Sequence, residues 1–127
     1  MLARTSMALA AFLMLLLSAH TAGADYFANL EIANYTTHLL NRGYSTDEVE
    51  AVDTAAFLMA TRDACKNTPS FEHRAYTTVG LVAQVSGMTI RKLLELSDPI
   101  RPHKLKLLHE HTNLKATCRK LFASMKL

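Results

Sequence analysis

Cys65 and Cys118 are the only cysteines in a chain of 127 residues, and they constrain its fold more than any other feature. Whether they pair depends on the compartment, and the N-terminal residues bear on that. Arg4 precedes an apolar run from Met7 to Leu17, and Ala22-Gly23-Ala24 puts small residues where a signal peptidase reads. That is the layout of a secretory signal, with a cut expected after Ala24; the run is shorter than the roughly 20 apolar residues a bilayer span requires. The expected organisation is a signal peptide over 1–24 and a single helical domain over 25–127, periplasmic or secreted, with no integral membrane span. In an oxidising compartment two retained cysteines pair. The bridge would close a separation of 53 residues. Loop-closure entropy puts its contribution at about 4 kcal/mol, a large share of the roughly 5–15 kcal/mol typical of a domain. The other uses of cysteine have less behind them. A zinc site needs clustered ligands, and no CxxC or HxxxH spacing occurs. A catalytic thiol needs an activating neighbour, and none can be placed.

The rest of the chain predicts helices. Past the leader, glycine occurs only at Gly43, Gly80 and Gly87 and proline only at Pro69, Pro99 and Pro102. No stretch alternates apolar and polar residues as a half-buried strand does. A first helix over about Tyr26–Asn41 sets Phe27, Leu30, Thr37 and Leu40 near one stripe, and Gly43 closes it. Ser45-Thr-Asp-Glu48 reads as a capping box opening a second helix, with Val49, Val52, Ala56 and Met59 on one face and an end near Cys65. Thr68-Pro69 predicts the next start, Thr68 as cap and Pro69 at the first helical position. Phe71, Ala75, Thr78, Val82 and Val85 then recur at helical spacing. Gly80 sits inside this helix, where glycine costs about 1 kcal/mol relative to alanine, so a close backbone approach is expected there. Ser86-Gly87 ends that helix, and a short one follows from Thr89 to Leu96 with Ile90, Leu93 and Leu94 as its buried set. The final stretch from Pro102 to Met125 carries Leu107, Leu114, Cys118, Leu121 and Met125 near one seam, with a break expected near His111 and Thr112 as the new cap. The fold class is all-α: a small four- to six-helix bundle or orthogonal helical domain with one disulfide. The Leu, Val and Met stripes are expected to be core, since a body of about 100 residues has few other core residues.

Charge is divided along the chain. Asp25–Ala64 holds seven acids and two bases, whereas Cys65 onward holds eleven bases and four acids. The basic half (Arg91, Lys92, Arg101, Lys104, Lys106, Lys115, Arg119, Lys120) either faces an acidic partner or is neutralised by the acidic half within the fold. His103, His109 and His111 cluster in sequence, but spacings of six and two do not share a helix face, so no metal is expected. Asn34-Tyr35-Thr36 is a glycosylation sequon. Val85–Leu94 faintly suggests a helix-turn-helix, but export argues against nucleic acid as a partner. No triad, spaced carboxylate pair or phosphate loop occurs, so neither a catalytic residue nor a cofactor is assigned and the chain is not expected to be an enzyme.

Ala56-Phe-Leu-Met-Ala-Thr-Arg-Asp-Ala-Cys65, the Thr68-Pro69 start, the helix around Ala75–Val85 and Ala116-Thr-Cys118-Arg-Lys-Leu121 together resemble the PulS/OutS family of type II secretion pilotins. The likeness runs from Ala55 to Leu127 and is greatest to YacC-like members, which lack the lipid anchor; here too no cysteine lies near Ala24. The resemblance implies a small periplasmic helical bundle closed by Cys65–Cys118. It also implies a protein partner, an outer-membrane secretin segment being the family's example, held as an amphipathic helix in an apolar groove. Leu93, Leu94, Leu96, Leu105 and Leu108 are the candidates for lining such a groove. The expected function is thus an exported, pilotin-like protein-binding module. The alternative is a periplasmic acid-stress chaperone or immunity protein, to which the histidines and split charge are suited.

Overall fold

The computed structural model describes residues 24–66, 70–110 and 113–125. Six helices follow one another: α1 (Ala24–Asn41), α2 (Thr46–Ala64), α3 (Phe71–Ser86), α4 (Ile90–Ser97), α5 (Arg101–Glu110) and α6 (Leu114–Ser124). Among the described residues there is no strand. The protein is a small all-α domain with one disulfide.

Local chemistry sets most of the boundaries. α1 ends where Gly43 takes φ +96°, with Gly43 N–H donating to Leu40 O (3.0 Å) and Tyr44 N–H to Leu39 O (3.2 Å). A side chain is disfavoured at that φ, and the two reversed bonds satisfy carbonyls the helix leaves open. Ser45 starts α2 with the full capping box: Glu48 N–H donates to Ser45 Oγ (3.1 Å), and Ser45 N–H donates to Glu48 Oε1 (2.9 Å). Gly87, at φ +74°, ends α3, and Thr89 caps α4 by accepting from Lys92 N–H at 3.1 Å. α3 begins at Phe71 with Ser70 as its cap residue; Thr68 and Pro69, expected to start it, lie outside the described residues. The final stretch is broken as expected, but the residue capping α6 is Asn113, whose Oδ1 accepts from Ala116 N–H at 3.3 Å. Thr112, expected in that role, lies outside the described residues, as does His111.

α2 is the hub, and all five other helices pack on it. Its sequence explains this. Val49, Ala51, Val52 and every residue from Thr54 to Thr61 are buried, so the middle turns of α2 are enclosed on all sides. A helix of that kind is stable only at the centre of a domain. Ala55, Ala56 and Ala60 are fully enclosed, and their small side chains let neighbouring helices come close. Phe71, Val79, Leu93, Ile100 and Leu121 close over it from α3, α4, the turn before α5, and α6. The hydroxyls taken into the core cause no deficit: Thr61, Thr78 and Ser97 donate to Phe57 O (2.7 Å), Arg74 O (2.8 Å) and Leu94 O (2.9 Å).

Cys65, which caps the end of α2, is bonded to Cys118 in α6, with Sγ–Sγ 2.01 Å and Cα–Cα 5.6 Å. Both cysteines are buried. The bridge ties the C-terminal end of the hub to the last helix.

Candidate interaction surfaces

The leucines expected to line a groove are mostly core. Leu93, Leu96 and Leu108 are buried, and Leu94 and Leu105 are half-buried against the same cluster. All five belong to or pack against the single apolar core, so packing consumes them, whereas Ile90, expected inside with Leu93 and Leu94, is 48% exposed. None of the three buried leucines offers surface to a partner in this arrangement.

α1 departs further from expectation, because its face is reversed. The buried stripe is Ala28, Ile32 and Leu39, with Tyr35 half-buried among them. Phe27, Leu30 and Leu40, expected inside, are 67%, 41% and 44% exposed, and Tyr26 is 63% exposed. α1 carries apolar residues on two opposite faces, and periodicity alone does not say which one packs. The packed face also makes a contact 61 residues away: the Tyr35 hydroxyl donates to Leu96 O at 2.6 Å, in the last turn of α4. That turn leaves carbonyls without helical partners, and the hydroxyl of half-buried Tyr35 satisfies one of them. Burial raises the pKa of Tyr35 above its usual value, opposed by Arg42 and reinforced by Tyr44 and Asp98. Asn34 of the sequon is exposed on the outward side.

The two charge-rich halves meet inside the fold. Lys104 of α5 is buried, and its Nζ lies 2.8 Å from Asp53 Oδ1 on α2. Arg101 Nε lies 3.5 Å from Asp63 Oδ2, and Arg62 is 2.9 Å from Asp63 Oδ1. Arg62 also donates to the Tyr76 hydroxyl and sits 5.3 Å from its ring centroid. Burial opposes the charge on Arg62, but its hydrogen bond to Asp63 and the nearby negative charges hold its pKa above the usual value. Lys104 and Arg101 thus leave the basic set counted from sequence, and Lys106 faces Glu110 on its own helix at 4.0 Å. Arg91, Lys92, Lys115, Arg119 and Lys120 remain exposed, and none lies within 4.0 Å of a described acid.

His103 is half-buried and His109 exposed on α5. Among the described residues, no three His, Cys, Asp or Glu side chains converge to hold a metal ion, and no helix is long and apolar enough to cross a membrane. Comparison with protein-family models, curated proteins and solved structures finds no match to the chain.

Proposed function

We propose that this chain is an exported, pilotin-like protein-binding module that holds an amphipathic segment of an envelope or secretion-system partner. The observation that carries the reading is the outward face of α1. Of the six large apolar side chains exposed among the described residues, four (Tyr26, Phe27, Leu30 and Leu40) stand on this one helix, and Tyr76 and Ile90 are the others. Tyr26, Phe27 and Leu30 lie within two turns of one another, and exposed aromatic anchors of this kind favour binding a partner's apolar side chains. Between Tyr26 and Asn41 the only formal charge is Glu31, so little desolvation opposes such a contact. The disulfide supports export, since such bridges persist in oxidising compartments. The likeness to non-lipidated pilotins supplies the class of partner.

The test is native capture from the cell envelope with the oxidised protein as bait. Wild type retains a discrete envelope protein, and the Phe27→Ser/Leu30→Ser variant loses it. Recovery of nothing by wild type, or equal recovery by both, refutes the reading. N-terminal sequencing of the envelope form, expected to begin at Asp25, tests export separately.

A further inference from the structure

The disulfide end of the domain gathers cations that no acid among the described residues neutralises. α6 carries Lys115, Arg119 and Lys120, all exposed, and no acid between Leu114 and Ser124. Lys115 and Arg119 are one turn apart on one face, a like-charge spacing that weakens a helix, and Lys115 lies in the first turn, where the helix dipole is already positive. Two further cations join them through contacts. Lys66 follows Cys65, whose Cα is 5.6 Å from that of Cys118, the residue before Arg119. Arg74 of α3 donates to Phe122 O at 3.1 Å, with its guanidinium 4.0 Å from the Phe122 ring centroid. The acids nearest in sequence to these cations, Asp63, Glu72 and Glu110, make no ion pair with them among the described residues, and Glu110 faces Lys106. Asp63 is occupied by Arg62 and Arg101, and the field of Glu72 acts on Arg62.

We infer that this end, built from α6 and bordered by Lys66 and Arg74, docks a carboxylate-rich segment of a protein partner. The inference rests on the protein-binding reading and adds the chemistry of the partner. Charge complementarity selects an acidic occupant. None of the large apolar side chains exposed among the described residues lies on α6, so the surface lacks the wedge a membrane-inserting face uses. A peptide that sets carboxylates four residues apart on a helix matches the Lys115–Arg119 spacing.

The experiment is fluorescence anisotropy at low salt, with the oxidised full domain and a fluorescein-labelled helical peptide bearing glutamates four residues apart. Wild type binds, and affinity falls as salt is raised. Lys115→Gln/Arg119→Gln/Lys120→Gln, all exposed positions, melts no lower than wild type and binds about tenfold more weakly or worse. Arg91→Gln/Lys92→Gln on α4 binds like wild type. Absence of wild-type binding, equal loss in both variants, or tighter binding to vesicles of phosphatidylcholine with phosphatidylglycerol than to the peptide overturns the inference. Failure here is separable from failure of the functional reading. If the α6 variant still captures the envelope partner that Phe27→Ser/Leu30→Ser loses, the partner docks by α1 alone and only this inference falls.

Discussion

Lys104 Nζ sits 2.8 Å from Asp53 Oδ1, with the lysine side chain only 2% exposed. This ion pair fixes α5 against the hub, and it makes the two residues unequal under mutation. Removing the acid strands a cation in the core, whereas removing the lysine leaves an aspartate with 27% of its side chain still in water. Asp53→Ala is therefore expected to cost about 3 kcal/mol, at the low end for a broken buried pair because water reaches the aspartate. Lys104→Met should be close to neutral. Urea unfolding of both variants checks this; equal losses would mean that the buried charge is not what makes the difference.

Cys65→Ser is expected to lower stability by about 4 kcal/mol under oxidising conditions. Reduced wild type should melt with the oxidised variant. Coincident melts of oxidised wild type and variant would show that the bridge contributes nothing.

At Gly80 an added Cβ meets only Ile90 Cδ1, at 3.8 Å, which is ordinary contact with a side-chain tip. The close backbone approach expected from sequence is absent. Gly80→Ala should therefore stabilise α3 by roughly 0.5–1 kcal/mol, through the entropy glycine loses on folding. A lower melting temperature would reveal crowding at this position.

Tyr35 predicts an alkaline limb. Its folded pKa is raised above 10.0, so the folded state holds the phenolic proton more tightly than the unfolded chain. That stabilisation is complete below the unfolded pKa and is lost as pH rises through the folded one. Tyr35→Phe should cost about 1 kcal/mol at neutral pH by removing the donor to Leu96 O, and should show a shallower loss of stability above pH 10.0. Parallel stability–pH profiles for the two proteins would exclude Tyr35 as the source.

What could be read in advance was what neighbours in sequence control. The Ser45–Glu48 box and the Gly43 and Gly87 ends each involve residues within a few positions and are found as expected, whereas Thr89, expected as the first helical residue, is the cap before it. Asn113 in place of Thr112 shows the limit of such reading, since both are good caps and one position separates them. The surface-forming residues were harder to place. Leu93, Leu96 and Leu108 belong to an apolar stretch that looks the same whether it fills a core or lines a groove.

Taken alone, the order of residues determined the helices, most of their ends and the pair of cysteines, because hydrogen-bonding geometry and side-chain periodicity act over one or two turns. Only the folded body decided that α1 turns Ile32 and Leu39 inward and Phe27 and Leu30 outward, that Lys104 leaves the surface to meet Asp53, and that α6 keeps its cations unpaired. Each of these depends on which distant helix supplies the neighbour. Periodicity shows that a helix has an apolar face, but not which of two such faces will find a hydroxyl, a carboxylate or water beside it.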